Sequence, residues 1–145
     1  MEQRLDFYQA SPNAIKAMLA LEAQIGKSTI EKPLADLVRL RASQINGCAF
    51  CVDMHATDAR KGGETERRLA AVVVWRETPF FTERERAALE WTEAVTLVSQ
   101  NHVPDAVWEV VKPHFSDEEI VDLTLLVSAI NSWNRLAISF RKMPD

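Results

Sequence analysis

Apolar residues recur every three or four positions along most of the chain, which is the spacing of α-helices that bury one face. Helix start and stop residues divide this pattern into segments. Ser11 and Pro12 begin the first helix, as N-cap and first helical residue, and Gly26 ends it. The pattern predicts seven helices, at about residues 12–25, 33–46, 48–61, 64–75, 82–101, 104–112 and 117–141.

Two of the helix starts carry a capping box, Thr82 with Glu85 and Ser116 with Glu119. In such a box the hydroxyl accepts from the backbone N–H three residues later, while the glutamate accepts from the N–H of the N-cap. The segment 72–75 is the best strand candidate, but it continues a helical run and we expect it to be helical. The pattern therefore predicts an all-α fold, a single-domain bundle of about seven helices over residues 1–145.

Composition narrows the functional classes. The formal net charge is −4, without the basic excess that a nucleic-acid groove needs, and no glycine-rich phosphate loop is present. Arg39 with Arg41, and Arg67 with Arg68, alternate with apolar residues, so we expect them on solvated helix faces. No apolar run approaches the ~20 residues that span a bilayer, and the first residues do not resemble a signal peptide. We expect a cytoplasmic protein that binds neither nucleic acid nor membrane.

The chemistry is concentrated in one segment, where Cys48, Cys51 and His55 share a predicted helix. At 100° per residue they fall within a sector of about 60°. Cys48, at a helix start, gains thiolate stabilisation from unpaired N–H groups. His55, one turn beyond Cys51, is placed to take that thiol's proton, and a second thiol lets a sulfenic acid condense to a disulfide. The segment predicts thiol redox chemistry.

Other interpretations of the cysteine pair remain open. It could be incidental, or a structural disulfide, although so short a loop gains little chain entropy. Zinc is the main rival, because two cysteines and His55 supply three ligands, but His102 and His114 lack the spacing to supply a fourth. A thioredoxin fold would need a βαβ pattern, which is absent. We expect neither a metal nor an organic cofactor.

The chain also resembles a known family, the alkylhydroperoxidase D-like proteins of the carboxymuconolactone decarboxylase superfamily. The resemblance is carried by residues 41–55, 58–62, 75–94 and 130–135. It implies an all-helical fold that assembles as a homo-oligomer, often a trimer or a hexamer. It also implies a peroxidase in which Cys51 becomes the sulfenic acid, Cys48 resolves it to a disulfide, and His55 relays a proton. The substrate would be a peroxide and the reductant an unknown dithiol, lipoyl or thioredoxin-like; a small thiol would also serve, and the motif does not choose among them.

One position departs from the family pattern. The family's relay contains a glutamate twelve residues before the first cysteine, where this chain has Asp36. The shorter acid either needs a bridging water to reach the relay or serves only as a first-turn acid of its helix. Two other functions stay open, a lyase of the decarboxylase branch, which does not need a dithiol, and a non-enzymatic redox sensor.

Polar residues in the last predicted helix form a second point of interest. Asn131, Ser132 and Asn134 interrupt an apolar run. We expect them to form local hydrogen bonds within the bundle, with a place in the site or at a subunit contact as the alternatives. Phe50, between the cysteines, is expected to shape the pocket mouth or to pack against a neighbouring subunit.

Overall fold

The computed structural model describes residues 1–145 and contains nine α-helices, one 3₁₀ helix and no strand, so the predicted all-α class is confirmed. No helix is both long enough and apolar enough to cross a lipid bilayer. The helices are α1 (Phe7–Ala10), α2 (Pro12–Ile25), α3 (Lys32–Asn46), α4 (Ala49–Lys61), α5 (Glu66–Ala71), the 3₁₀ helix (Val72–Glu77), α6 (Glu83–Thr96), α7 (Val98–Asn101), α8 (Asp105–Val111) and α9 (Asp117–Phe140).

The helix count exceeds the predicted seven for two reasons. α1 has only four residues, too few to show a period, and the helix predicted over 82–101 breaks at Leu97 into α6 and α7. The helix predicted over 64–75 is also interrupted, because α5 gives way to the 3₁₀ helix and Val74 leaves helical geometry (φ −123°, ψ 28°). Three successive valines begin that segment, and β-branched side chains lose rotamer freedom in an α-helix.

α3 is the central helix of the bundle and packs against α4, α6 and α9. Its apolar residues Leu37 and Val38 are fully buried, although they point into different clusters. Val38 joins the larger core between α3, α6 and α9, while Leu37 packs with Val72 and Leu89 under the 3₁₀ helix. Because α3 is packed on several sides, its polar side chains at the site, Asp36 and Arg39, have fixed positions.

A tight turn connects α3 to α4. Gly47 ends α3 in the left-handed conformation (φ 69°, ψ 32°), which glycine adopts without steric cost. Cys48 follows at once as the N-cap of α4, as the sequence predicted. The turn therefore places the first cysteine where the unpaired N–H groups of a helix start converge.

Hydrogen bonds between asparagine side chains join this turn to α9. The Nδ2 group of Asn46 donates to the Oδ1 atoms of Asn131 and Asn134, each at 2.9 Å, and Asn134 donates to the Ser43 hydroxyl at 3.0 Å. Ser132 is exposed and donates to a carbonyl one turn earlier in α9. Asn131, Ser132 and Asn134 thus all bond within the bundle, and none of the three lines the cavity that contains Cys51.

Candidate functional site

Cys48 and Cys51 form a disulfide across the first turn of α4, with their Cα atoms 5.3 Å apart. Cys48 is 1% exposed and Cys51 2% exposed. The backbone N–H of Cys51 also donates to the Cys48 Sγ at 3.3 Å. The same N–H would stabilise a thiolate at Cys48 after reduction, because a hydrogen bond to the charged form favours that form. The pair is therefore a redox-capable dithiol held at a helix N-terminus.

A cavity of about 360 Å³ lies beside the disulfide. Cys51 and His55 line it, whereas Cys48 does not. The cavity lining combines aromatic and apolar side chains with charged ones. The aromatic residues are Phe7, Tyr8, Phe50 and Trp133, and the charged ones are Glu22, Lys32, Asp36, Arg39 and Asp58. The cavity gives a small molecule access to Cys51 and its neighbouring imidazole.

His55 lies one turn after Cys51 on α4, so their side chains are neighbours. It is buried, and its Nε2 atom has no hydrogen-bond partner. The His55 pKa is lowered from 6.5 to about 4, chiefly by burial and next by the positive charge of Arg39, while Asp58 and Asp36 act in the opposite direction. The imidazole is therefore neutral at pH 7 and has a free nitrogen with which to accept a proton.

Asp36 lies on the wall of the same cavity, but its carboxylate bonds elsewhere. Its Oδ2 atom accepts from the Lys32 ammonium at 2.8 Å, and its Oδ1 atom lies 3.8 Å from the Arg39 guanidinium. No hydrogen bond joins it to His55. The structure thus places Asp36 at the same cavity as Cys51 and His55, without a hydrogen bond to the imidazole.

Arg39 and Glu22 are site residues that the sequence did not reveal. We expected Arg39 and Arg41 on a solvated face, and this was wrong, because their side chains are only 18% and 15% exposed. Arg39 donates to Glu22 at 3.2 Å, and Trp133 donates to the other oxygen of Glu22 at 3.0 Å. Arg41 pairs instead with Glu93 at 2.8 Å. Helical periodicity cannot show such pairs, since the partners come from different helices.

Residues from both ends of the chain lie at the cavity wall or beside it. Tyr8 of α1 stacks on Phe7, and the ammonium of Lys142 lies over the rings of both Tyr8 and Phe50, 5.5 and 4.7 Å from their centroids. Phe50 also lines the cavity, as expected for a residue that shapes its mouth. Four-residue α1 carried no sequence signal, so the part of the wall that it supplies was not predicted.

The site does not present a ligand set for a metal ion. No three side chains among His, Cys, Asp and Glu converge in a geometry that could hold one. Cys48 and Cys51 are bonded to each other, Asp36 is engaged with Lys32 and Arg39, and Glu22 is engaged with Arg39.

A sequence model of the carboxymuconolactone decarboxylase family matches residues 9–94, more than half of the chain. The chain belongs to the carboxymuconolactone decarboxylase family. Within the family it is alkylhydroperoxidase D-like. The uncharacterized protein YdfG of Bacillus subtilis (strain 168) is 43% identical over 139 residues, which are 96% of this chain and 95% of that protein.

Two further proteins are similar to this chain. The crystal structure of ATU0492 from Agrobacterium tumefaciens, a protein of unknown function with a suggested assignment as antioxidant defence protein AhpD, has a TM-score of 0.97 and 46% identity over 99% of both chains. Alkyl hydroperoxide reductase AhpD of Hyphomonas neptunium is 39% identical over 49 residues, 34% of this chain and 27% of that protein.

Proposed function

We propose that this protein is a thiol-dependent peroxidase, or a closely related disulfide oxidoreductase, with Cys48 and Cys51 as its redox pair. The observation that carries the proposal is the position of the disulfide, which presents Cys51 to the cavity beside His55 and keeps Cys48 outside it. Membership of the family and the partial likeness to an alkyl hydroperoxide reductase support it.

The chemistry begins in the reduced protein. The Cys51 thiolate attacks one oxygen of a hydroperoxide, so that an S–O bond forms while the O–O bond breaks. The other oxygen takes a proton and leaves as an alcohol or water, and Cys51 is oxidised to a sulfenic acid. Cys48 then attacks the Cys51 sulfur, which releases water and forms the disulfide. A dithiol reductant exchanges with this disulfide and leaves with its own disulfide, restoring both thiols.

Two local effects compete in assigning the attacking sulfur. The helix start favours a thiolate at Cys48, whose Sγ receives an N–H. Attack also requires contact with the peroxide and a proton for the leaving oxygen, and only Cys51 lines the cavity with His55 nearby. Access and proton transfer outweigh thiol acidity here, since an acidic thiol that cannot reach the peroxide does not react with it. Cys51 is therefore the peroxidatic cysteine, and Cys48 resolves.

In this proposal His55 moves the proton. Its free Nε2 takes the proton of the Cys51 thiol and then donates it to the departing oxygen. Asp36 acts through charge, because its carboxylate favours the imidazolium that His55 becomes between these two steps. The shorter acid thus contributes to the relay without the direct hydrogen bond that a longer side chain would allow.

The reductant would be a dithiol, either a lipoyl group or a thioredoxin-like protein. Both cysteines are nearly inaccessible, and Phe50 lines the cavity through which Cys51 is reached. A narrow lipoyl arm fits such an entrance better than the surface of a folded protein. We also propose that the chain assembles as a homo-oligomer, a trimer or a hexamer as the family resemblance implies, which native mass spectrometry would test.

The function is tested by thiol counting and turnover. Stoichiometric hydroperoxide should convert the reduced protein to a form with no free thiols, lighter by two hydrogens in intact mass. Dihydrolipoamide, a thioredoxin system and a monothiol should then be compared as reductants for steady-state turnover. Peroxide consumption that is unchanged in Cys51→Ser would contradict the assignment. Conversion of a lactone acid that survives a double change of both cysteines to alanine would support the lyase instead.

A further inference from the structure

We propose that Arg39 is a positioning residue of the redox site, whose guanidinium, fixed between Glu22 and Asp36, sets the charge under which His55 and Cys51 exchange a proton. The proposal rests on the peroxidase function proposed above and adds to it a residue outside the Cys-x-x-C segment. It assigns Arg39 a role through its neighbours, without contact to the reacting oxygen atoms.

The geometry gives Arg39 a fixed place on the cavity wall. It shares the wall with Cys51 and His55, and its side chain is 18% exposed. The Nη2 atom lies 3.2 Å from Glu22 of α2, and the Nη1 atom lies 3.8 Å from Asp36, one turn earlier on α3. Glu22 is held in turn by the Trp133 indole of α9 at 3.0 Å. Three helices therefore fix one guanidinium beside the reactive pair.

A fixed cation at this place affects the proton carrier of the pair. It opposes a proton on His55, where it adds to the effect of burial. An imidazolium formed next to Arg39 is a stronger acid than an ordinary imidazolium, so it passes the proton on to the departing oxygen instead of keeping it. Arg39 thus makes His55 a proton carrier with little tendency to remain charged.

Besides Arg39, three other charged groups affect the His55 pKa. Asp36 and Asp58 favour the imidazolium, and Lys32 opposes it as Arg39 does. α9 contributes only apolar and indole side chains to this wall. The full set of charged and titratable cavity groups is Tyr8 of α1, Glu22 of α2, Lys32, Asp36 and Arg39 of α3, and Cys51 and Asp58 of α4. Loss of the Arg39 charge should therefore raise the His55 pKa.

The experiment follows the imidazole signal of His55 by NMR against pH in the disulfide form. The chain has only three histidines, so His102 and His114 serve as internal references. Arg39→Gln should move the His55 midpoint upward by roughly one pH unit, the size of shift that a neighbouring charge produces, and Arg39→Lys should restore most of it. The low-pH limb of the peroxidase rate should move in the same direction.

Arg41→Gln is the matched control, because Arg41 lies two residues away on the same helix, is equally buried, and pairs with Glu93 outside the cavity. It should leave the His55 midpoint unchanged. If Arg39→Gln does not fold, the double change of Arg39 and Glu22 to glutamine removes the ion pair as a unit, which proteins tolerate better than a broken pair.

An unchanged midpoint in Arg39→Gln, or in the double variant where Arg39→Gln does not fold, would overturn the proposal, and so would an equal shift in Arg41→Gln. These results are independent of the proposed function, since the NMR titration needs no turnover. Absence of peroxide reduction by the wild-type protein would instead refute the peroxidase function and leave the titration result standing.

Discussion

Acidification should destabilise this protein through His55. The folded protein holds the His55 pKa at about 4 against an ordinary value of 6.5. Between these values the unfolded chain binds a proton that the folded protein does not bind. The stability contribution is therefore complete above pH 6.5 and is lost as the pH falls towards 4.

The size of this loss follows from the shift. The two pKa values differ by about 2.5 units, and each unit corresponds to ~1.36 kcal/mol, so the loss is about 3 kcal/mol. His55 is only 8% exposed, so solvent screening reduces this figure little. A loss of this size is a large fraction of the ~5–15 kcal/mol by which domains are stable.

The assay is urea unfolding without reductant, followed by tryptophan fluorescence, at pH values from 7 down to 4. His55→Leu removes the titrating group, so the wild type should lose about 3 kcal/mol more than this variant over the range. His102→Asn is the control, because His102 is exposed and its left-handed backbone suits asparagine. It should keep the wild-type pH dependence. Equal pH dependence in the wild type and His55→Leu would refute the reasoning.

Two further predictions concern the turn that presents Cys48. Gly47→Ala should lower the free energy of unfolding by about 1–2 kcal/mol, because φ is positive at Gly47. Gly26 ends α2 in the right-handed conformation, so Gly26→Ala should leave the free energy of unfolding unchanged or raise it by up to about 1 kcal/mol. Asn134→Ala should cost roughly 2–3 kcal/mol because it removes two buried hydrogen bonds to α3, one with Asn46 and one with Ser43. The exposed Ser132→Ala should change stability by less than about 0.5 kcal/mol. Urea unfolding of each pair at pH 7 measures both differences.

Helix boundaries could be predicted well wherever local chemistry defines them. Thr82 and Ser116 both form the reciprocal capping boxes that their sequences indicate. The predicted boundary between residues 46 and 48 is also present, with Gly47 as the C-cap of α3 and Cys48 as the N-cap of α4. These helix caps depend on residues within one turn of each other, so they can be recognised from the sequence alone. The 3₁₀ helix at Val72–Glu77 was missed because apolar periodicity does not separate a 3₁₀ turn from an α turn over so few residues.

The candidate site could be predicted only along one helix. Cys48, Cys51 and His55 share α4, so their proximity follows from spacing alone. The Glu22–Arg39 pair could not be predicted, because it joins α2 to α3 across 17 residues and each charge resembles an ordinary surface residue in its own helix. The ion pair between Asp36 and Lys32 was also not predicted, although the two residues lie one turn apart. The sequence does not show which of several nearby cations a carboxylate pairs with.

The most direct test of the central claim is to map the first oxidised sulfur. Cys48→Ser should be reduced, treated with one equivalent of tert-butyl hydroperoxide in the presence of dimedone, and digested for mass spectrometry. A sulfenic acid cannot then resolve to a disulfide, so the account predicts a dimedone adduct on Cys51 and release of one equivalent of alcohol. The matched variant Cys51→Ser should form no adduct at Cys48 on the same time scale. An adduct at Cys48 in that variant with none at Cys51 in the first would contradict the account.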